Sequence, residues 1–184
     1  MIHPIVLYNA RILKDKSQTI DLKTANPAEV REMIDDMFET MHRASGIGLS
    51  SIQIGVPARA FVIEAHHKDG PPDEQFDLRE TFINPVILEE NNETVFLTEG
   101  CLSLPNIAAL IERPKSIKIQ YYNYDLKKIV KDYDGLAARI ILHEFDHLNG
   151  VLFTDKLETM WKMMLEEPLR KIAEKEVRPD YQHK

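Results

Sequence analysis

The run ILHEFDHLNG at residues 141–150 limits this chain more than any other stretch. His143 and His147 stand four apart, with Glu144 beside the first. On an α-helix that spacing sets the two side chains about 40° apart around the axis, so both imidazoles can reach one ion from one face. Neutral imidazole suits borderline divalent cations such as Zn²⁺ and Fe²⁺. The spacing therefore predicts a helix that begins near Asp134, which can cap it, and stops at Asn149-Gly150.

Two histidines leave a metal site incomplete, and spacing alone fixes neither the remaining ligand nor the base. Glu144 and Asp146 lie about equally far, on opposite sides, from the midpoint of the histidines. Glu144 has the longer reach and fits H-E-x-x-H, in which the glutamate is the general base. Asp146 reads as a supporting or salt-bridging residue, with Arg113 as a candidate partner. Downstream, Asp155, Glu158, Glu166 and Glu167 are weak candidates for a third ligand. Upstream, TEGCLSLP (98–105) holds the chain's only cysteine, Cys101. A lone cysteine is by default a small buried hydrophobe, yet a divalent cation deprotonates a thiol that coordinates it.

The rest of the chain reads as one domain around that helix. At 184 residues, 43% hydrophobic and 29% charged, it can bury a core of its own. NPAEVREMIDDMFETMHRASG (26–46) predicts an N-terminal helix: Asn26 as cap, Pro27 at the first position, Glu29 completing a capping box, and Gly46 as the stop. Val30, Met33, Ile34, Met37 and Met41 form its apolar stripe, read as core rather than as a ligand surface. Runs at 59–64, 82–88, 93–97, 116–122 and 128–133 are rich in β-branched and aromatic residues and read as strands. NYDLK (123–127) reads as the hairpin connection between the last two. The polar stretch 66–77 reads as an exposed loop, with His66 and His67 as solvated residues rather than ligands. A third helix over about 157–177 contains Pro168 as a kink or break. Its Met, Trp and Leu residues are expected to pack on the domain, and Arg170, Lys171 and Lys175 to form a solvated face. Strands gathered between terminal helices indicate an α+β fold.

Charge and cysteine content narrow the setting. A formal net charge of −7 argues against nucleic-acid specificity. The single cysteine allows no intrachain disulfide, which fits a reducing compartment. No apolar run approaches about 18 residues, and the opening stretch lacks the pattern of a signal peptide, so a cytoplasmic protein with no membrane partner is expected.

Three stretches together resemble the peptide deformylase family. GIGLSSIQ (46–53) is similar to its Gly-x-Gly-Leu-Ala-Ala-x-Gln motif, EGCLSLP (99–105) to Glu-Gly-Cys-Leu-Ser-x-Pro, and HEFDHLNG (143–150) to His-Glu-x-x-His-Leu-x-Gly. Their order and separations are also those of the family, and the resemblance runs to about residue 160. It implies antiparallel β-sheets around a central metal-binding helix, with an N-terminal and a C-terminal helix, in one catalytic domain over 1–184. Residues 157–184 would be a C-terminal helical extension. It implies a hydrolase that removes the N-formyl group from the N-terminal formylmethionine of new polypeptides, releasing formate.

The same resemblance assigns the residues. Cys101, His143 and His147 would hold one divalent ion, with a fourth position open to water. The ion would be Fe²⁺ in the cell, with Zn²⁺, Ni²⁺ or Co²⁺ accepted in purified protein. Glu144 would be the base, and Gln53 and the Leu102 N–H the oxyanion donors. Gly46, Ile47, Gly48, Leu97, Glu99, Gly100, Leu136 and Ile140 would meet the substrate, the apolar ones around its methionine side chain. Nascent formylmethionyl chains as substrate add the ribosome near its exit tunnel as a partner. Ser50, Ser51, Asn106, Ala108 and Leu142 depart from the family pattern, at positions that bear on peptide affinity more than on the reaction. Two other readings stay open: a zinc endopeptidase built on H-E-x-x-H, and a metal or peptide binder without turnover.

Overall fold

The computed structural model describes residues 1–68 and 75–184. Helix α1 (Pro27–Arg43) starts where Asn26 accepts a hydrogen bond from the Ala28 N–H at 3.0 Å. The Asn26 amide also donates to the Glu29 carboxylate at 3.0 Å, so a side-chain pair replaces the expected capping box. Val30, Ile34, Met37 and Met41 are buried, and Met33 packs against them. The helix closes in a Schellman turn, with Gly46 N–H donating to Met41 O (2.9 Å) and Ser45 N–H to His42 O (3.0 Å). Its left-handed residue is Ser45, at φ 55°, one position before the glycine expected to stop it.

Seven strands follow among the described residues. Five make an antiparallel sheet in the order β1 (Gly48–Ser50), β2 (Ala60–His67), β3 (Phe76–Glu90), β6 (Ser116–Tyr122) and β7 (Lys128–Asp134). The other two, β4 (Thr94–Cys101) and β5 (Leu104–Pro114), form a separate antiparallel pair. Ile117, Ile119 and Tyr121 alternate into the core as their pattern requires. The sequence reading misses β1 and β5. The first is three residues long, and the second carries two prolines and a pair of alanines, residues of low strand preference. It also misplaces the ends of the polar run 66–77. His66 and His67 finish β2, Phe76 and Asp77 open β3, and His66 Nδ1 lies 2.7 Å from Asp77 Oδ1. Residues 69–74 of that expected loop lie outside the described residues.

Helix α2 (Gly135–His147) packs on the five-stranded sheet, its Ala138, Ile141 and Leu142 sharing a core with Phe61, Phe82, Ile119 and Tyr121. Asp134 stands at its N-cap but makes no capping bond with its side chain. Gly150, at φ 72°, closes its C-terminal turn as expected. Residues on nearly every side of α2 are buried, and that places it at the centre of the molecule.

Helix α3 (Thr159–Ala173) contains Pro168 rather than ending at it. Leu165, Leu169 and Ile172 pack with residues of β5, including Leu104, Ile107 and Ile111. Met160, Trp161, Met163 and Met164 do not pack on the domain as expected, for each is at least 51% exposed. Met160, Met163 and Met164 lie off the stripe that packs with β5, and Trp161, one turn before Leu165 on the same face, is still 51% exposed. Arg170 pairs with Glu167 on the solvent side. The fold is α+β with antiparallel sheets, as the sequence indicates, and no helix among the described residues is long and apolar enough to cross a membrane.

Candidate active site

Cys101 ends β4, while His143 and His147 lie on α2, one turn apart. Their ligand atoms all fall within 4.8 Å of one another, and Cys101 Sγ lies 3.2 Å from His147 Nε2. The thiol upstream, rather than a downstream carboxylate, completes the cluster. Glu144 is buried beside it, and Asp146 is turned elsewhere, held by Arg113 at 2.6 Å and Lys156 at 3.2 Å. The salt bridge expected for Arg113 is there. Of the two acids, Asp146 is committed to ion pairs, whereas Glu144 keeps a buried carboxylate oxygen without a hydrogen-bond partner.

Glu99 is the organising residue behind the cluster. Its carboxylate accepts from Arg113 Nε (2.6 Å) and Nη2 (2.8 Å), from Arg139 Nη1 (2.8 Å), and meets His143 Nδ1 at 2.8 Å. Burial opposes its ionisation, but the hydrogen bonds and charge of Arg113 and His143 outweigh burial and hold its carboxyl far below the usual range. With Nδ1 engaged, His143 is left with Nε2 for the cluster. Burial disfavours a His143 cation, yet Cys101 and Glu99 hold its pKa up at about 10. His147 is driven the other way, well below the ordinary value, by burial and then by the charge of His143. Burial pushes Glu144 up to about 7, so its carboxyl stands near neutrality.

Among the described residues, the buried side-chain atoms without a hydrogen-bond partner are Glu144 Oε2 and His147 Nδ1. Buried polar groups are rarely left so, and both sit at this cluster. The donor set of one thiolate and two imidazoles, with a free carboxylate oxygen beside it, fits a mononuclear divalent cation with room for water.

The cluster opens into a cleft of about 760 Å³. One wall is Gly46, Ile47 and Gly48, which lead from α1 into β1. Leu136 and Ile140 of α2 face it, and Glu99, Gly100 and Leu102 come from β4 and the turn after it. Leu97 does not join them: it stands 37% exposed on β4, outside the cleft lining. Glu99 touches the cleft but is 5% exposed and committed to its ion pairs, so it positions His143 rather than offering itself to a substrate.

Gln53 sits at the cleft floor with its orientation set by its partners. Its Oε1 accepts from the Ser50 N–H at 2.9 Å, which directs Nε2 toward Cys101 Sγ (3.5 Å) and Ser103 Oγ (3.2 Å).

Similarity to known proteins identifies the family. The family described as polypeptide deformylase matches residues 2–163. The chain belongs to the peptide deformylase family. It is 38% identical to the peptide deformylase of Christiangramia forsetii, over 98% of this chain and 94% of that one. It is 40% identical to the enzyme of Cytophaga hutchinsonii, over 100% and 97%. The crystal structure of peptide deformylase from Ehrlichia chaffeensis in complex with actinonin superposes with a TM-score of 0.83 at 32% identity, covering 96% of this chain and 99% of that one. Plasmodium falciparum peptide deformylase gives 0.81 at 34%, over 93% and 95%. Peptide deformylases are metal-dependent hydrolases that take the formyl group from N-terminal formylmethionine, and the cluster described above could hold such a metal ion.

The departures from the peptide deformylase pattern have physical explanations. Ser50 Oγ reaches Gln53 Oε1 at 3.3 Å, and Ser51 Oγ donates to the Ala58 carbonyl, so both added hydroxyls are satisfied. Asn106 takes φ 64°, a left-handed position asparagine tolerates better than most residues. Leu142 points into the core beneath α2 and not into the cleft. Ala108 stands exposed on β5 opposite Gly100. Sequence reading missed Arg139, although it lies one helical turn before His143 and so on the same face. It also missed Arg178, Pro179, Asp180 and Tyr181, which line the cleft from beyond α3 and carry no motif.

Proposed function

We propose that Cys101, His143 and His147 hold a single divalent ion, Fe²⁺ in the cell, and that Glu144 is the acid–base residue of deformylation. The observation that carries this reading is the convergence of the three ligand atoms within 4.8 Å beside the unpartnered Glu144 Oε2. When bound, the ion supplies a Lewis acid for the formyl oxygen and makes water acidic enough to attack near neutral pH. Glu144 takes the proton of the attacking water as the new C–O bond forms. Gln53 Nε2 and the Leu102 N–H donate to the oxygen that gains charge in the tetrahedral intermediate. Glu144 then delivers its proton to the amine nitrogen as the C–N bond breaks, and formate and the free amino terminus leave.

Ile47, Leu136 and Ile140 receive the methionine side chain, and Gly46, Gly48 and Gly100 let the peptide backbone approach closely. Zn²⁺, Ni²⁺ and Co²⁺ can take the place of Fe²⁺ at the same ligands. The substrates are formylmethionyl nascent chains, met in the cytoplasm near the ribosome's exit tunnel. The test is formate release from a formylmethionyl peptide by anaerobically purified protein loaded with iron or nickel. Turnover is expected; a folded, fully loaded protein that releases no formate overturns the reading.

A further inference from the structure

Leu102 and Ser103 form the turn that joins β4 to β5, with Cys101 facing Leu104 across it. The turn follows a metal ligand directly and carries one of the two oxyanion donors. A segment from one end of the chain holds each of its carbonyls. The Tyr8 N–H donates to Ser103 O at 2.9 Å, and the Tyr181 hydroxyl donates to Leu102 O.

Those two segments are paired with each other. The Ile5 N–H donates to Gln182 O at 2.8 Å, the Lys184 N–H to Ile5 O at 2.9 Å, and the Leu7 N–H to Lys184 O at 3.2 Å. Ile5 and His183 form a parallel β-bridge. The same strip also grips the second donor. The Val6 N–H donates to Gln53 O at 2.7 Å, and Lys184 Nζ to Ile54 O at 3.4 Å. Residues 5–8 and 181–184 thus touch the backbone at Gln53 and at Leu102 and link the two. The Tyr181 ring is partly buried and packs against two separate core clusters, which fixes where its hydroxyl can reach.

We propose that the paired chain ends are a clamp that holds the two oxyanion donors in register, with Tyr181 as a positioning residue for the Leu102 peptide. The proposal rests on the oxyanion roles given to Gln53 and Leu102. Donors aimed at a developing charge are effective only when they are held in place beforehand, and misplacement by about 1 Å costs heavily in rate. A two-residue turn has little structure of its own to resist such movement. Fixing the Leu102 carbonyl restricts rotation of the residue that also bears the donor N–H. Tyr181 lies beyond residues 2–163, so this half of the clamp is outside the part of the chain that the family description matches.

Tyr181→Phe keeps the ring and removes only the hydroxyl, so the full-length, metal-loaded protein can be compared directly. We expect kcat for a formylmethionyl peptide to fall about tenfold, a part of what removing an oxyanion donor costs, with KM within about twofold and metal content unchanged. Hydrogen exchange at the amides of 101–104 should quicken in the variant, with α2 protected as before. Wild-type kcat together with wild-type exchange overturns the clamp. So does a rise in KM at constant kcat, which would make the tail only a wall for the substrate. Gln53→Ala, assayed alongside, separates the two ideas. Wild-type kcat in Gln53→Ala defeats the oxyanion roles themselves, whereas a large loss there with none in Tyr181→Phe defeats the clamp alone.

Discussion

Oε2 of Glu99 lies 2.8 Å from Nδ1 of His143. The contact fixes the ring so that Nε2 faces Cys101 and His147, and Arg113 and Arg139 prevent the carboxylate from turning away. Partners of this kind set the tautomer and the basicity of a ligating histidine, and losing one typically costs roughly 10–100-fold in metal affinity. Glu99→Gln is therefore expected to bind its ion roughly 10–100-fold more weakly in chelator competition. Stability should fall as well, because two buried arginines lose their counter-charge. Competition curves that superimpose on wild type would show that the contact does not tune the site.

Glu144 and Cys101 separate turnover from metal retention. The Glu144 side chain is buried within the cluster and has one oxygen without a partner. Glu144→Gln preserves its shape and removes the base, so the ion should stay while kcat drops by about 10²–10⁴-fold. Cys101→Ala removes a ligand and should lose the ion itself. Metal analysis and formate assay on both variants decide the matter, and a Glu144→Gln protein as active as wild type rejects the assignment.

Two glycines in one wall of the cleft should behave differently. A Cβ on Gly48 would stand 2.5 Å from Glu144 Oε1 and 3.0 Å from its Cγ and Cδ, at a carboxylate enclosed by the core. Gly48→Ala must therefore displace the base, and kcat should fall by about tenfold or more while the ion is retained. On Gly46 the nearest atom is Leu102 Cδ1 at 2.8 Å, the end of a flexible side chain that can rotate aside. Gly46→Ala should therefore lose less kcat than Gly48→Ala, with its cost falling on KM through the peptide contact proposed for Gly46. Equal losses in the two variants would mean that the crowding of Glu144 is not what matters.

The chemistry of this site was legible because it is made of scarce residue types at fixed spacing: His143, Glu144 and His147 on one helix, with a single cysteine elsewhere. The role of Glu99 was not, since it depends on Arg113 from β5 and Arg139 and His143 from α2 arriving at one carboxylate. Helix ends were misjudged for a local reason. Ser45, and Lys175 at φ 61°, occupy the left-handed positions that a glycine would have advertised. The exposed apolar residues of α3 are unexpected because Met160, Trp161, Met163 and Met164 have apolar side chains whether or not a partner surface lies beneath them. Nothing in 178–184 resembles a motif, and its place beside the cleft follows from backbone pairing with residues 5–7, which sequence periodicity does not encode.

Behind α2, Tyr121 and Tyr133 offer a test of the core that supports the site. Their hydroxyls are 2.9 Å apart, and the Tyr121 hydroxyl donates to Glu80 Oε2 at 3.1 Å, which leaves Tyr133 to donate to Tyr121. Burial, with Glu80 nearby, pushes Tyr133 up to about 12, and burial and hydrogen bonding carry Tyr121 higher still. A free tyrosine ionises near pH 10. Because the folded pKa values are raised, the folded state keeps protons that the unfolded chain releases. The contribution of the pair to stability is therefore complete below about pH 10 and is lost as pH rises above it. Absorbance of tyrosinate at alkaline pH should show these two residues ionising only as the protein unfolds, and Tyr133→Phe should lessen the alkaline fall in the denaturation midpoint. If both ionise near pH 10 while circular dichroism still reports a folded protein, the pair is not sealed in the core beneath α2.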